Sequence, residues 1–106
     1  MLPKKNRADK KLVEKIFKEG RFISFSGLSF KFLNGKQSFP RISFVVPKKV
    51  EKKAVGRNLL RRQGYSILEK YFGKIPSGIS GVFIFNKVVP ISEIENDIKK
   101  ILNKIS

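Results

Sequence analysis

The sequence predicts an α+β protein, a two-layer sandwich of one β-sheet and helices in the order α-β-β-β-α-β-α. Two kinds of apolar spacing support this class, because segments with helical periodicity alternate with segments in which every second residue is apolar. The chain has 106 residues, of which 41% are hydrophobic. This length and composition suffice for one compact core, so we expect residues 1–106 to form a single domain.

The first predicted element is an amphipathic helix over residues 9–19. Asp9 can cap its start and Gly20 can end it, as both residue types commonly do at helix termini. The apolar side chains of this segment share one helical face among lysines; they are Leu12, Val13, Ile16 and Phe17.

Three strands are predicted next, at Phe22–Phe25, Leu28–Phe32 and Ile42–Val46. The second and third alternate apolar with polar residues, which is typical of a half-buried strand. Residues 34–36 read Asn-Gly-Lys and have turn chemistry. We therefore expect the second and third strands to be antiparallel neighbours.

A second helix, a buried strand and a third helix complete the predicted order. The second helix should follow Gly56, with one apolar face through Leu60, Gly64, Ile67, Leu68 and Tyr71. A loop at residues 75–78 precedes Val82–Phe85, a continuous apolar run typical of a strand that is buried on both faces. Ser92 and Glu95 have the spacing of a capping box and predict the start of an amphipathic C-terminal helix.

The charge of the chain points to a polyanionic partner. Lys and Arg number 24 against 8 Asp and Glu, a formal net charge of +16. The excess is uneven, since residues 1–74 contain 20 basic and 5 acidic side chains and residues 75–106 contain 4 and 3. A basic excess concentrated in particular segments is the electrostatic pattern of a protein that contacts nucleic-acid phosphates.

Several function classes are disfavoured by the residues that the chain lacks. Without Cys there is no disulfide or thiolate metal site, and without His there is no ordinary general base near neutral pH. The eight Asp and Glu residues mostly stand beside Lys in helical stretches and form no acidic cluster in the sequence. Catalysis by the protein itself is therefore disfavoured, although a metal-dependent nuclease with carboxylates brought together from afar stays open as an alternative.

The sequence also favours a cytoplasmic location without membrane association. Residues 1–17 are basic but contain no apolar stretch of the kind found in secretion signals. The longest apolar runs are too short to span a bilayer.

The most informative segment is Val46–Arg62, which contains seven basic residues and one acid, Glu51. At 100° per residue, one side of the predicted helix carries Asn58, Arg61, Arg62 and Tyr65, opposite the apolar face, with Arg57 at its edge. Guanidinium groups grip phosphate oxygens in a bidentate manner, and an Asn amide can pair with a base edge or a 2′-hydroxyl. An ordinary solvated basic face is the alternative interpretation.

These residues resemble the signature of bacterial ribonuclease P proteins, in the order VPKKV (residues 46–50), AVGRN (54–58) and Arg61-Arg62. The likeness extends to LPKKNR (2–7), to the end of the first helix at residues 18–20 and to the strand RISFVV (41–46). The resemblance therefore covers nearly the whole chain, and its specificity comes from the joint order of the motifs.

The resemblance implies a ribosomal-protein-like fold with a left-handed β-α-β crossover. It implies a protein subunit that binds a catalytic RNA and the 5′ leader of precursor tRNA, and so promotes endonucleolytic 5′ maturation. The catalytic groups would be on the RNA, with Mg²⁺ held mainly by the RNA subunit and the substrate. The protein would be monomeric within a 1:1 complex. A small ribosomal or other structural RNA-binding protein without a role in cleavage is the alternative.

The resemblance also assigns residues to two RNA surfaces. The surface for the RNA subunit would comprise Lys48, Lys49, Lys52, Lys53, Arg57, Asn58, Arg61 and Arg62. A cleft for the single-stranded leader would comprise Val13, Phe17 and Lys31. A basic arm that either tracks phosphates or is merely solvated comprises Lys4, Lys5, Arg7, Lys10 and Lys11.

This chain departs from the family pattern at functional positions. The third position of the family's Arg-Asn-Arg signature is Leu59, which should be partly exposed, and a later arginine position is Tyr65. Aromatic residues are common in the family where Val13 and Lys31 stand, so Phe17 is left as the stacking candidate. Phe39 is undecided, and core packing is expected for Phe22, Phe30, Phe32, Phe44, Phe83 and Phe85.

Overall fold

The computed structural model describes residues 4–105, and its elements follow the predicted order. The helices are α1 (Lys10–Glu19), α2 (Ala54–Tyr71) and α3 (Ile91–Ile105), and short 3₁₀ turns lie at Lys4–Asn6 and Phe72–Lys74. The strands are β1 (Arg21–Ser24), β2 (Leu28–Asn34), β3 (Arg41–Val45) and β4 (Ile79–Phe85). The α+β class is confirmed.

The four strands form one sheet in the order β1-β2-β4-β3. β2 pairs antiparallel with both β1 and β4, whereas β3 runs parallel to β4. The prediction that β2 and β3 are antiparallel neighbours is therefore wrong, because β4 lies between them. The turn after β2 contacts the loop before β4 instead of closing a hairpin, and the backbone N–H of Gly35 donates to the carbonyl oxygen of Gly78 at 2.7 Å.

The position of β4 follows from its composition. Ile79–Phe85 is buried at every residue except the half-buried Ile84, as predicted for a strand covered on both faces. A central place also gives the backbone of β4 a strand partner along each edge. Since α2 connects β3 to β4, the parallel pair forms the β-α-β crossover that the family resemblance implies; its left-handed sense stays a prediction.

One face of the sheet and the helices α2 and α3 enclose the main core. Phe30, Phe83 and Phe44 lie side by side across β2, β4 and β3, with ring centroids 4.4 Å and 4.8 Å apart. Helix α2 approaches this layer closely at Gly64, where a Cβ atom would lie 2.5 Å from the Phe44 ring. The packing therefore requires glycine at this point of the apolar helix face.

Helix α1 lies against the opposite face of the sheet. Ile16 of α1 and Val82 of β4 are both fully buried. Val82 is in register with Lys31 of β2, and the Lys31 ammonium donates to the carbonyl oxygen of Phe17 on α1. Asp9 caps α1 by accepting from the N–H of Leu12 at 2.9 Å, as predicted.

The predicted starts of the other two helices are wrong by small amounts. α2 begins at Ala54, before Gly56 rather than after it. α3 begins at Ile91, so Ser92 lies inside the helix and is not its cap. The carbonyl oxygen of Pro90 accepts from the N–H groups of Glu93 and Ile94. These first-turn donors therefore have a backbone acceptor and need no serine side chain.

A buried carboxylate ties α3 to the β1–β2 turn. Asp97 is buried, and its Oδ2 atom accepts from the backbone N–H groups of Gly27 at 2.9 Å and Leu28 at 3.1 Å. This pairing satisfies two donors in a turn that the sheet leaves unpaired. Across residues 4–105, no helix combines the length and the apolar character needed to cross a membrane.

Candidate nucleic-acid interface

The basic segment before α2 is organised by Arg57 and Glu51. The Arg57 guanidinium donates to the carbonyl oxygens of Glu51 at 3.1 Å and Lys52 at 2.7 Å. The Glu51 carboxylate accepts from the N–H of Lys53 at 3.1 Å and lies over Gly56, where a Cβ atom would come within 2.7 Å of it. Because α2 has no acid in its first turn, Glu51 places a negative charge near the positive end of the helix.

This anchoring fixes the loop that carries the lysines. Arg57 is half-buried and donates from one terminal nitrogen to two backbone oxygens, so it acts within the loop as well as at the surface. Arg61 donates to the side-chain oxygen of Asn58, which holds two predicted RNA-binding side chains together. The remaining predicted members of the surface are also exposed; Lys48, Lys49, Lys52 and Lys53 lie just before α2, and Arg62 lies midway along it.

Two shallow grooves adjoin this surface. The first, of about 300 Å³, is lined by Asn58, Arg61, Arg62 and Tyr65. The structure therefore brings the predicted polar face of α2 together as one concave surface. The second groove, of about 410 Å³, shares Tyr65 with the first and continues to the N-terminal segment through Arg7, Ala8, Asp9 and Arg41.

Tyr65 differs from its prediction. It was expected to project with the arginines, but only 8% of it is exposed. Its ring packs edge-on against Phe44 at 4.8 Å, and its hydroxyl accepts from the Phe44 backbone N–H at 3.2 Å. β3 is an edge strand, and this N–H has no strand partner, so the tyrosine satisfies a donor that an arginine side chain cannot accept from.

The N-terminal segment lies along the free edge of β3. The N–H of Ala8 donates to the carbonyl oxygen of Ile42 at 3.2 Å, and the side chain of Asn6 donates to that of Pro40 at 3.1 Å. Arg41 donates to the carbonyl oxygen of Arg7 and lies 3.7 Å from the Asp9 carboxylate. The predicted basic arm is therefore attached to the sheet from Asn6 onward.

The members of the basic arm occupy different environments. Lys10 and Lys11 are exposed on the first turn of α1, and Arg7 is half-buried. Lys5 is exposed, with its ammonium 5.8 Å from the ring centroid of Phe39, which gives that undecided aromatic residue a local cation partner. The side chain of Lys4 lies outside the described residues.

A second surface lies on the α1 side of the sheet. The Lys31 ammonium donates to the carbonyl oxygen of Phe17 at 3.1 Å and lies 5.5 Å from the Phe17 ring centroid. It also lies 5.9 Å from the ring of Phe22. Phe17 is 39% exposed and Phe22 is 57% exposed, so one hydrogen-bonded ammonium lies beside two accessible rings. Val13, half-buried, is one turn before Phe17 on α1.

Phe22 is the residue that sequence reasoning missed, since core packing was expected for it. Its register partner is Lys31, which places it on the α1 face of β1, beyond the part of the face that α1 covers. The other five phenylalanines assigned to the core are buried as predicted. The signal that could have identified Phe22 is the β1–β2 register, which the sequence does not specify by itself.

Leu59, a departure from the family pattern, forms an apolar strip with Val55 among the charges of α2. Leu59 is 49% exposed, as predicted, and Val55, one turn earlier, is 79% exposed. Neither residue is absorbed into the core. Within residues 4–105, no group of three or more carboxylate, His or Cys side chains is arranged to hold a metal ion.

Comparisons with known proteins agree with one another. The family model described as Ribonuclease P matches residues 2–106. The ribonuclease P protein component of Pseudanabaena sp. strain PCC 6903 is 32% identical over 109 residues, covering 98% of this chain and 94% of that protein.

Solved structures show the same likeness. The RNase P protein of Thermotoga maritima superposes with a TM-score of 0.82 at 26% identity, covering 94% of this chain and 97% of that one. A mutant of the Staphylococcus aureus RNase P protein superposes with a TM-score of 0.83, over 95% of this chain and 88% of that one. At 21% identity, the second likeness concerns the fold alone.

Proposed function

Because this chain belongs to the ribonuclease P protein family, we infer that its two surfaces bind two different RNA molecules in tRNA processing. A protein of this family is the protein subunit that works with ribonuclease P RNA in 5′ processing of tRNA. The finer assignment of residues and ligands is our proposal. The α2 surface would bind the catalytic RNA, and the cleft formed by Val13, Phe17, Lys31 and Phe22 would bind the 5′ leader of precursor tRNA.

Concentrated positive charge supports the first assignment. Lys48, Lys49, Lys52 and Lys53 lie at the start of α2, and Asn58, Arg61 and Arg62 line the adjoining groove. Each phosphate contact releases counterions, so a handful of such contacts gives strong, salt-dependent binding. Arg57 would contribute by holding the lysine loop in place as well as by its own charge, and the basic arm would extend the same surface past the edge of β3.

The leader assignment rests on the pair of accessible rings. Unpaired bases stack on exposed aromatic side chains, and each such contact is worth roughly 1–3 kcal/mol. Phe17 and Phe22 provide two rings, and Lys31 provides a cation. The hydrogen bond from Lys31 to the Phe17 carbonyl oxygen holds this cation beside both rings. Phe22 therefore compensates for the aromatic residues that Val13 and Lys31 replace.

We place the cleavage chemistry on the RNA subunit. The chain has no His or Cys, and the acids that the structure fixes are engaged in structural contacts. Asp97 accepts from two backbone N–H groups, and the Tyr71 hydroxyl donates to Glu95, which lowers the pKa of that carboxyl. Mg²⁺ held by the RNA and the substrate would activate the attacking water and stabilise the leaving group. The protein would position the substrate and neutralise phosphate charge, as a monomer in a 1:1 complex in the cytoplasm.

Reconstitution tests this proposal. The protein is added to a bacterial ribonuclease P RNA at low Mg²⁺ concentration, and cleavage of the precursor tRNA leader is measured. We expect strong stimulation over the RNA alone. Binding of the RNA without stimulation would favour a purely structural RNA-binding role. Cleavage by the protein after removal of all RNA would overturn the placement of catalysis.

A further inference from the structure

A second cluster of cations lies at the far end of α2, against α3. Tyr71 ends α2, and its ring is 5.8 Å from the ammonium of Lys74 and 5.8 Å from that of Lys99. Tyr71, Lys74 and Lys99 line a cleft of about 120 Å³ together with Leu102 and Asn103. We call this the Tyr71 cleft. None of these residues belongs to either surface described above.

The shape of the cleft is fixed by contacts beneath it. The Tyr71 ring packs against the main core, and Leu102 is a buried core residue. The Tyr71 hydroxyl donates to the Glu95 carboxylate, which joins the last turn of α2 to the first turns of α3. Lys99 lies on α3 and Lys74 on the 3₁₀ turn that follows α2, so packed backbone carries both cations. Little freedom beyond that of the lysine side chains is therefore lost when a ligand binds.

The electrostatics of the cleft favour an anion. The Tyr71 hydrogen bond and the positive charges of Lys70 and Lys99 lower the pKa of the Glu95 carboxyl. The ammonium groups of Lys74 and Lys99 both lie over the Tyr71 ring. Three ammonium groups and one carboxylate give these four side chains a net charge of +2. The hydrogen bond to Glu95 raises the pKa of Tyr71, so the hydroxyl stays neutral at physiological pH and adds no negative charge. Each of the Lys74 and Lys99 ammonium groups is attracted to the electron-rich face of the Tyr71 ring.

We propose that the Tyr71 cleft is a second phosphate-binding site for the RNA subunit, separate from the arginine surface of α2. The inference rests on the proposed function, because RNA is the polyanion that a protein of this family binds. The choice of the RNA subunit over the substrate follows from position. The cleft belongs to the α2–α3 layer, as does the arginine surface, whereas the leader cleft opens on the opposite face of the sheet.

The two sites are far enough apart along α2 to bind different phosphates. Arg61 and Tyr71 are ten residues apart on one helix, which corresponds to roughly 15 Å at 1.5 Å per residue. This separation exceeds the Debye length of about 8 Å at physiological ionic strength, so the two sites attract phosphates independently. One rigid helix would then contact two separated phosphates of the RNA and fix its own orientation on it.

The test compares two charge-matched double variants of the full-length protein. Lys74→Ala/Lys99→Ala removes two cations from the Tyr71 cleft, and Lys36→Ala/Lys87→Ala removes two exposed cations that neither proposal uses. Binding to the RNA subunit alone and to precursor tRNA alone is measured over a range of salt concentrations. Lys74→Arg/Lys99→Arg keeps the charge, and the melting temperature of every variant is recorded.

We expect Lys74→Ala/Lys99→Ala to lower the log-log salt slope for the RNA subunit by roughly 0.7 to 0.9 for each phosphate that is no longer neutralised. The Arg pair should restore the slope, and the control pair should change it much less. A decrease equal to that of the control pair, a decrease that the Arg pair does not restore, or a decrease confined to precursor tRNA would overturn the proposal. If the unaltered protein does not bind the RNA subunit, both the proposed function and the Tyr71-cleft proposal are wrong. If substitutions in the arginine surface weaken binding and those in the Tyr71 cleft do not, the proposed function stands and the Tyr71-cleft proposal is wrong.

Discussion

Phe22→Ala separates the two roles that the sequence and the structure give to this residue. In the structure 57% of Phe22 is exposed and its ring faces the Lys31 ammonium at 5.9 Å. A buried Phe replaced by Ala costs about 3–5 kcal/mol of stability, whereas surface substitutions usually stay within about 0.5 kcal/mol. We therefore expect the free energy of unfolding to fall by less than about 1 kcal/mol, because more than half of this residue is exposed.

The effect of the same variant on RNA binding should be larger. If one leader base stacks on Phe22, the loss is roughly 1–3 kcal/mol, equivalent to a decrease of about 5- to 140-fold in affinity. The assay uses the reconstituted holoenzyme and compares the dissociation constants of precursor tRNA and mature tRNA. Only precursor tRNA carries a leader, so the ratio of the two constants isolates the leader contact.

Two controls make the result decisive. Val88→Ala truncates another exposed apolar side chain, one that lies outside both proposed RNA surfaces, and it should change neither constant. Urea denaturation of Phe22→Ala gives the stability term separately. Equal losses for precursor and mature tRNA, or an unfolding free energy lower by about 3–5 kcal/mol, would refute the assignment of Phe22 to the leader cleft.

Three further predictions concern other parts of the molecule. Asp97→Ala should lower the free energy of unfolding by about 2–6 kcal/mol, because two buried N–H donors lose their acceptor at roughly 1–3 kcal/mol each; urea denaturation measures this, and a loss below about 1 kcal/mol would contradict it. Arg61→Ala/Arg62→Ala should reduce the salt slope for RNA-subunit binding by roughly 0.7 to 0.9 for each phosphate contact, and an unchanged slope would remove the first groove from the interface. The hydrogen bond from the Tyr71 hydroxyl holds the pKa of Glu95 below its usual value of 4.5. The pair therefore stabilises the fold above pH 4.5, and this contribution is lost as the pH falls through the lowered pKa. In Tyr71→Phe the Glu95 pKa should rise in a carboxyl NMR titration, and no rise would show that the hydrogen bond is not its cause.

Much of the fold was predictable because the helices and strands depend on patterns of neighbouring residues. The periodicities of α1, α2 and β4 depend on residues a few positions apart, and the caps at Asp9 and Gly20 act within one turn. The polar face of α2 was predictable for the same reason, since helical geometry places Asn58 and Arg61 together without reference to the rest of the chain. The exposure of Leu59 followed from the same helical geometry.

The candidate site was predictable only in part. Family resemblance supplied Phe17 and Lys31, and the structure brings them into contact. Resemblance could not supply Phe22, because the role proposed for it depends on a feature of this chain, an aromatic residue opposite Lys31 in the β1–β2 register. Tyr65 was misplaced because a helical wheel treats every polar position as solvent-facing, whereas its hydroxyl satisfies an N–H group of an edge strand.

By itself, the sequence determined the α+β class, the order of the elements, the location of the basic charge and the family. Only the tertiary structure decided which strands are neighbours and which distant residues share a surface. Tyr65 bonds to Phe44 across 21 positions, and Asp97 bonds to Gly27 across 70. Such contacts depend on the placement of the apolar strand β4 between β2 and β3, with helices on both faces of the sheet. That placement depends on which apolar residues are buried across the whole chain, and no local pattern of residues specifies it.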